Sequence, residues 1–372
     1  MRVLLAGGGT AGHINPALAI AGTVKSKIDG SEILYVGATG GMEEKLVPKA
    51  GYQFKSVKIS GFKRSLSPKA IIHNITTVKR AVTASMQAKK IIKEFNPDVC
   101  IGTGGYVSGP VLRAASQLGI PTIIHEQNAF PGVTNKMLAK NAKVVMLANP
   151  DAKERMGGNY NFAITGNPVR PEILKADKET ARKQLGLDER PVILSFGGSL
   201  GARKINESVA DYIARSGKDG QYQIIHAYGQ YGKWFPDLLK EKGCEHTNCE
   251  NLDIREFIHD MPVCLAAADL VVCRAGAMTI SELQAQGKPA VLIPSPNVAE
   301  NHQFHNAMTL VNANAASVIE EKDLTPEKLM QTVDNMVKDP KKLQQYSQNA
   351  RKIAITDSNE RILAIIKKVA KR

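Results

Sequence analysis

The sequence predicts an α/β protein made of two similar domains, each with a parallel sheet and helices on both faces. The chain has 372 residues, more than one hydrophobic core usually holds, so two domains are expected. In both halves, short β-branched runs alternate with helical patterns, which is typical of parallel sheets. Each half also opens with a strand that leads into a glycine-rich turn.

The predicted strands fall into two sets of five. The first set is residues 3–6, 33–36, 99–102, 122–125 and 143–147, and the second is 192–196, 223–227, 252–256, 270–273 and 290–293. Between the sets lies ITGNPVRP (164–171), where glycine and two prolines interrupt regular structure. We therefore expect domains at 1–163 and 164–340. The basic, helical segment 341–372 is expected to pack back across the domain junction.

Composition narrows the class of protein. Lysine and arginine outnumber aspartate and glutamate by 49 to 35, so the partners should include an anion, but nucleic acid, anionic lipid and phosphate-bearing substrates attract a basic protein alike. No signal peptide and no apolar run of spanning length are evident, so we expect a cytoplasmic protein with peripheral membrane contact only. Five cysteines, without paired metal-ligand spacing, predict neither a disulfide framework nor a metal site.

The first glycine turn, GGGTAG (7–12), formally matches a dinucleotide-binding fingerprint. The second predicted strand, however, ends in Tyr35-Val36-Gly37-Ala38, without the acidic residue that would hold a ribose, which disfavours a dehydrogenase. Small residues before a helix still allow backbone N–H groups to approach an anion. The turn is therefore interpreted as facing a phosphate.

Three more turns of this kind follow predicted strands. They are GTGGYVSGP (102–110), GGSLGA (197–202) and RAGAMTISE (274–282). Any one of them could merely allow tight packing, but four turns divided equally between two domains predict two phosphorylated ligands and hence group transfer. In the last turn, Glu282 lies one to two turns into a helix, where its carboxylate could bind both ribose hydroxyls.

These and neighbouring motifs resemble the MurG family of peptidoglycan N-acetylglucosaminyltransferases, within glycosyltransferase family 28. The resemblance covers essentially the whole chain. It is carried by GGGTAGHINP (7–16), GGYVSGP (104–110), HEQNAFPG (125–132), GNPVR (166–170), GGSLGA (197–202) and CRAGAMTISE (273–282). It implies a GT-B fold of two Rossmann-like, doubly wound domains separated by a deep cleft.

The resemblance also implies an activity. Such an enzyme moves N-acetylglucosamine from UDP-N-acetylglucosamine to the C4 hydroxyl of lipid I, the muramyl-(pentapeptide)-pyrophosphoryl-undecaprenol acceptor. The product, lipid II, serves peptidoglycan synthesis and thus cell shape and division. The N-terminal domain would bind acceptor and anionic lipid at the cytoplasmic face of the cell membrane, and the C-terminal domain would bind the donor. No cofactor and no nucleic acid are implied.

The family's site positions carry over onto this sequence. Those that would bind the donor are Thr10, Ala11, Gly12, Asn128, Arg170, Ser199, Ile258, Ala277, Met278, Thr279, Ser281, Glu282 and Gln303. Those that would bind the acceptor diphosphate are Gly8, Gly9, Gly104, Gly105 and Tyr106. Two positions depart from the family pattern: Ala11 replaces a common glycine, so its φ should be negative, and His302 replaces a frequent glutamine.

His13 is the candidate catalytic base. It directly follows the first phosphate turn, and a helix amino terminus favours the neutral imidazole that can accept a proton. Alternatively, His13 only hydrogen-bonds the acceptor diphosphate or a loop carbonyl.

Residues 62–95 mix lysine and arginine with Leu, Ile and Val, which suits a helix lying on anionic lipid; an ordinary amphipathic helix is the alternative. Alternatives for the whole chain are a UDP-sugar transferase for another lipid, a UDP-N-acetylglucosamine epimerase, and a non-catalytic UDP-sugar-binding subunit that recruits a partner to the membrane.

Overall fold

The fold was examined in a computed structural model of the chain. The structure describes residues 1–61, 67–216, 220–245 and 249–370, although the side chains of 68–79 and 216 lie outside this description. The chain divides into two compact units. The first comprises Met1–Pro168 with Asp357–Arg372, and the second comprises Val169–Thr356.

The first unit is built on a seven-stranded parallel sheet. Its strands are β1 (Arg2–Gly7), β2 (Glu32–Ala38), β3 (Gln53–Val57), β4 (Val99–Gly104), β5 (Thr122–Glu126), β6 (Val144–Leu147) and β7 (Phe162–Ile164). Its helices before residue 169 are α1 (Ala11–Lys27), α2 (Glu43–Lys49), α3 (Pro68–Phe95), α4 (Ser108–Gln117), α5 (Val133–Ala139) and α6 (Ala152–Met156).

The second unit repeats this plan with a six-stranded parallel sheet. Its strands are β8 (Val192–Phe196), β9 (Gln223–Ala227), β10 (Leu252–Arg255), β11 (Leu270–Cys273), β12 (Ala290–Leu292) and β13 (Ala316–Val318). Its helices are α7 (Pro171–Lys175), α8 (Lys178–Gln184), α9 (Arg203–Ser216), α10 (Phe235–Glu241), α11 (Met261–Ala267), α12 (Ala277–Gln286), α13 (His302–Asn312), α14 (Pro326–Val337) and α15 (Pro340–Lys352).

Burial on both faces explains why the central strands are continuous apolar runs. Successive residues of a strand point to opposite faces. In β1, Leu5 packs with Ile14 of α1, whereas Leu4 packs with Val111 of α4 on the other face. Because helices cover both faces, neither side of the strand is polar.

Strand order places the loops that matter. The first sheet runs β3-β2-β1-β4-β5-β6-β7 and the second β10-β9-β8-β11-β12-β13, so each chain half winds outward from its first strand and then returns to that strand's other side. The switch points therefore lie between β1 and β4 and between β8 and β11. Ligands of doubly wound sheets bind at the carboxyl ends of such strands.

The carboxyl-terminal segment is two helices rather than one. α15 belongs to the second unit, and a further helix, α16 (Ser358–Ala370), belongs to the first. Ile362 and Ile366 of α16 join the core beneath α1, and Thr23 of α1 donates to Asn359 at 3.3 Å. The predicted segment 341–372 is therefore divided between the units, and its last two residues lie outside the description.

The predicted basic helix within 62–95 is found as α3, and residues 62–66 lie outside the described residues. Ala84, Ala88 and Ile92 form its buried face. Val82 and Met86 are each 60% exposed, one turn apart. Among the helices of the described ranges, none combines the length and the hydropathy that a membrane-spanning segment needs.

Candidate active site

The four glycine turns predicted from the sequence lie in pairs at the two switch points. The turns after β1 and β4 flank the switch point of the first sheet, and those after β8 and β11 flank that of the second. Each turn is followed by a helix, α1, α4, α9 or α12. Each unit thus has two helix amino termini at the edge where anions are bound.

In the first unit the two turns touch each other through their backbones. Gly105 has a φ of +78°, and a Cβ built on it would lie 2.1 Å from the Gly8 carbonyl oxygen. Only glycine fits there, because a side chain would collide with backbone that cannot move aside. The contact fixes the turn after β4 against the turn after β1.

His13 is held by this arrangement. Its Nδ1 lies 3.0 Å from the carbonyl oxygen of Thr103, and since a carbonyl only accepts, Nδ1 carries the proton and donates. The Thr103 hydroxyl in turn donates to the His13 carbonyl at 2.8 Å. In the neutral ring Nε2 then has a lone pair, and among the described residues it has no hydrogen-bond partner. This geometry suits a proton acceptor.

The amino terminus of α1 offers free donors. The N–H groups of His13 and Ile14 bond back to the Thr10 carbonyl, whereas those of Ala11 and Gly12 bond to no group in the described part of the chain. First-turn N–H groups lack intrahelical partners in general. Ala11 is helical and has a negative φ, as expected for alanine in this turn.

Glu43 is an acidic residue of this site that the sequence analysis overlooked. It is completely buried at the start of α2. Its carboxylate accepts hydrogen bonds from the N–H groups of Ala38, at 2.9 Å, and Gly9, at 3.3 Å. The Gly9 N–H, which we expected to face the acceptor diphosphate, thus has a protein partner.

A second buried carboxylate, Glu126 at the end of β5, organises the loop that follows it. It accepts from the backbone N–H and side-chain amide of Asn128, from the Gly132 N–H, and from the Asn135 amide at 2.8 Å. These bonds fix Asn128, an expected donor-binding residue. Neither Glu126 nor Asn135 stood out as a site residue in the sequence, because their importance lies in contacts across the loop.

His125 cannot act as a base in this state. Its Nε2 lies 3.1 Å from the Gly166 carbonyl, so it donates there, and its Nδ1 accepts from the Gln127 amide at 2.9 Å. Burial lowers the pKa of His125 and outweighs the opposite effects of the Gly166 hydrogen bond and Glu126. The neutral ring uses both of its nitrogens in hydrogen bonds, one as a donor and one as an acceptor.

In the second unit, the turn after β8 packs against the loop after β9. Gly201 has a φ of +84°, and a Cβ there would lie 2.2 Å from the Tyr228 carbonyl oxygen. The Ser199 carbonyl accepts from the Gln230 N–H at 3.1 Å, and Ser199 is exposed.

Glu282 and Arg170 form an ion pair beside the start of α12. Arg170 donates from Nε and Nη2 to the same carboxylate oxygen, each at 2.9 Å. Burial raises the pKa of Glu282, and the smaller opposing effect of Arg170 lowers it. The second carboxylate oxygen is left for another donor, such as a hydroxyl.

Two further expected residues of this unit keep unused hydrogen-bonding groups. The Ile258 side chain is buried, while its backbone N–H and C=O bond to no described residue. A free donor and acceptor side by side match the edge of a pyrimidine imide. Gln303 uses its oxygen to accept from the Ser295 N–H at 2.8 Å, which leaves its amide nitrogen as a donor.

Comparisons with known proteins bear on both units. The model of the glycosyltransferase family 28 N-terminal domain matches residues 3–147, and that of the C-terminal domain matches residues 192–362. A UDP-N-acetylglucosamine--N-acetylmuramyl-(pentapeptide) pyrophosphoryl-undecaprenol N-acetylglucosamine transferase of Acetivibrio thermocellus is 46% identical over 372 residues, which covers 100% of this chain and 99% of that protein. A protein of the same name from Desulforamulus reducens is 43% identical, and the match covers 100% of this chain and 100% of that protein.

This chain belongs to glycosyltransferase family 28. Among solved structures, the crystal structure of Acinetobacter baumannii MurG matches this chain with a TM-score of 0.77 and 29% sequence identity, and the match covers 99% of each chain. The resemblance inferred from the motifs is confirmed, as is the fold class of two parallel-sheet α/β domains. The family consists of glycosyltransferases, so the alternative of a dehydrogenase is wrong.

The expected site residues of this family 28 chain fall into two groups by unit. Those in the first unit are Gly8, Gly9, Thr10, Ala11, Gly12, His13, Gly104, Gly105, Tyr106 and Asn128; those in the second are Arg170, Ser199, Ile258, Ala277, Met278, Thr279, Ser281, Glu282 and Gln303. Every turn residue in both groups lies at the carboxyl edge of its sheet. His302 donates from Nδ1 to the Ala299 carbonyl of its own loop at 2.8 Å. Among the described residues there is no cluster of three metal-ligating side chains.

Proposed function

We propose that this chain transfers N-acetylglucosamine from UDP-N-acetylglucosamine to the C4 hydroxyl of a muramyl-(pentapeptide)-pyrophosphoryl-undecaprenol acceptor, with inversion, and so makes the lipid-linked disaccharide used for peptidoglycan. The observation that carries the proposal is the sequence identity of 46%, over the whole chain, to an enzyme named for this reaction. The paired phosphate-facing turns of each unit agree with two diphosphate substrates.

The second unit would bind the nucleotide. The free backbone groups of Ile258 would pair with uracil, and Glu282 would accept from the ribose hydroxyls. The amino terminus of α12 and the Ser199 and Thr279 hydroxyls would stabilise the negative charge of the leaving UDP, so this role would not need a metal ion held by protein ligands. Ala277, Met278 and Ser281 belong to the same helix start, and Gln303 and Arg170 border it.

His13 would act as general base in the transfer. The acceptor C4 oxygen attacks the anomeric carbon of N-acetylglucosamine, and the bond from that carbon to the β-phosphate oxygen breaks. UDP leaves with the electron pair, and the hydroxyl proton passes to Nε2 of His13. The tautomer that Thr103 imposes on the ring supports this role, and a positioned base contributes about 10²–10⁴-fold to rate. The acceptor diphosphate would lie near Gly104, Gly105 and Tyr106.

The first unit would bind anionic lipid at the cytoplasmic face of the cell membrane. Val82 and Met86 on α3 are exposed at helical spacing, as are Val133 (60%) and Met137 (69%) on α5. Burying one such side chain in the interface contributes about 1–2 kcal/mol.

Vesicle sedimentation tests this membrane role. Val82→Glu should bind anionic vesicles less than the parent does, while Ile353→Glu, a change at an exposed apolar residue of the second unit, should bind as the parent does. Equal binding of the parent to anionic and neutral vesicles would contradict the proposal.

Acceptor specificity tests the reaction itself. Purified chain is incubated with UDP-N-acetylglucosamine and either a short-chain muramyl-peptide pyrophosphoryl lipid, a diacylglycerol, or no acceptor, and UDP release is followed. Release only with the muramyl lipid is expected. Release with diacylglycerol would support the alternative lipid transferase, and tight UDP-sugar binding without release would support a non-catalytic recruitment subunit.

A further inference from the structure

The buried carboxylate of Glu43 lies directly behind the first phosphate-facing turn. A Cβ built on Gly8 would lie 2.2 Å from its Oε1, one built on Gly37 would lie 2.4 Å from its Cγ, and one built on Gly41 would lie 2.6 Å from its Cδ. Glycine backbone thus surrounds the carboxylate on three sides. The surrounding backbone restricts the Glu43 side chain to a single position, and the turns after β1 and β2 both pack against it.

The hydrogen bonds of Glu43 give it a specific effect on the turn. By accepting from the Gly9 N–H, it engages an amide that would otherwise face an anion. Its second oxygen accepts from Ala38 at the end of β2, which anchors the carboxylate to the sheet. The N–H groups of Ala11 and Gly12, which lie nearer to His13 along the chain, bond to no described residue and are left for a phosphate.

The charge of Glu43 is felt by the aromatic residues around the turn. Burial, and then the negative charge of Glu43, raises the pKa of Tyr106. The Tyr106 ring itself packs on the turn: a Cβ at Gly9 would lie 2.9 Å from its Cε1. The carboxylate, the glycine turn and the ring are therefore one packed layer at the switch point, with a negative charge inside it.

We propose that Glu43 is a positioning residue for the substrate diphosphate: its carboxylate excludes a phosphate from Gly8 and Gly9 and directs it to the amino terminus of α1 beside His13. The inference rests on the proposed function and refines it, since it makes Gly8 and Gly9 the shaped floor of the site rather than its anion ligands. A buried charge of the same sign repels a phosphate strongly because little water screens it.

The test uses Glu43→Gln, which keeps the shape of the side chain and removes its charge. A glutamine can accept from only one of the two N–H groups, since its amide nitrogen is a donor. The variant should bind inorganic pyrophosphate more tightly, on the order of tenfold, and yet have a lower kcat for transfer to the lipid acceptor. Tighter anion binding with slower turnover would not follow from general loosening of the fold.

The neighbouring residue supplies a matched control. Glu44 also accepts a backbone N–H of the same loop, that of Gly40 at 2.8 Å, but it is exposed. Glu44→Gln should leave pyrophosphate affinity and kcat as in the parent. Glu43→Asp, which keeps the charge, should keep pyrophosphate affinity at the parent level.

A second variant covers the case in which Glu43→Gln does not fold. Gly8 has an ordinary φ, so Gly8→Ala is allowed by its backbone, but the new methyl group displaces the carboxylate from Gly9. It should lower kcat without any gain in pyrophosphate affinity, because the charge remains.

Pyrophosphate and UDP binding are measured by calorimetry, independently of turnover. UDP affinity should not change in any of these variants, since the groups proposed to bind the uracil, the ribose and the leaving phosphate all lie in the second unit. If Glu43→Gln matches the parent in pyrophosphate affinity and kcat, or if Gly8→Ala retains the parent kcat, the inference is overturned while the proposed function stands. If the parent itself does not transfer the sugar, the proposed function fails, and the pyrophosphate measurement still tests Glu43.

Discussion

Gly104 decides whether His13 can reach its hydrogen-bond partner, and replacing it with alanine should damage catalysis more than stability. Gly104 has a φ of +103°, and a Cβ there would lie 2.9 Å from Nδ1 and 3.0 Å from Cε1 of His13. Ordinary contacts of this kind are about 3.5 Å or longer. The ring must therefore retreat by roughly half an ångström.

That displacement of the His13 ring is enough to weaken its hydrogen bond to Thr103 and to misplace the base. The bond from Nδ1 to the Thr103 carbonyl is already 3.0 Å long, and hydrogen bonds of this type weaken beyond about 3.2 Å. A misplacement approaching 1 Å at a reacting group can cost on the order of 10²-fold in rate. We expect Gly104→Ala to lower kcat, at saturating donor and acceptor, by roughly 10- to 100-fold.

Gly119→Ala separates backbone strain from the displaced ring. Gly119 also has a positive φ, +75°, but a Cβ there would meet nothing within 4 Å. Both variants should lose about 1–2 kcal/mol of stability from the left-handed conformation, measured as a fall in unfolding midpoint. Only Gly104→Ala should lose kcat; a kcat equal to that of Gly119→Ala would refute the reasoning.

Three other predictions concern single side chains. His13→Asn can still donate to the Thr103 carbonyl but has no basic nitrogen, so it should lose turnover as fully as His13→Ala does, by about 10²–10⁴-fold; activity kept by the asparagine variant would mean that His13 is structural. Arg170→Ala removes the cation that lowers the pKa of Glu282. Calorimetry should therefore show weaker UDP binding in this variant, and the loss of UDP affinity should be greater at pH 6 than at pH 8. Equal losses of affinity at the two pH values would contradict this prediction. Burial lowers the pKa of His226 from 6.5 to about 3, so the folded state keeps it neutral and loses stability as pH falls below 6.5. Urea unfolding should show about 2 kcal/mol less loss between pH 7 and pH 5 in His226→Phe than in the parent; an unchanged loss would show that His226 is not the source.

Every central strand could be predicted from the sequence, whereas three of the four edge strands could not. All ten predicted strands occur; nine of them are central, and strands buried on both faces are continuous apolar runs. The three that were missed, β3, β7 and β13, lie at sheet edges. β7 has no fully buried residue, and β3 alternates exposed with half-buried positions over most of its length. Half-covered strands carry a weaker apolar signal.

The site was predictable where it depends on local backbone and not where it depends on distant partners. The glycine turns are local, so their residues revealed them, and His13 follows one of them directly. Glu43 bonds to Gly9 across 34 residues, and no spacing in the sequence links the two. Glu126 could have been suspected from the buried strand that it ends, but its four donors are known only from the folded loop.

The structure of the transfer product tests the central claim most directly. The lipid made by purified chain from UDP-N-acetylglucosamine and a short-chain muramyl-peptide pyrophosphoryl acceptor is isolated, and its new glycosidic bond is assigned by NMR. We predict N-acetylglucosamine joined through a β bond to C4 of the muramyl sugar, with UDP released in equal amount. An α bond, a bond to another hydroxyl, or UDP release without a disaccharide lipid would contradict the claim.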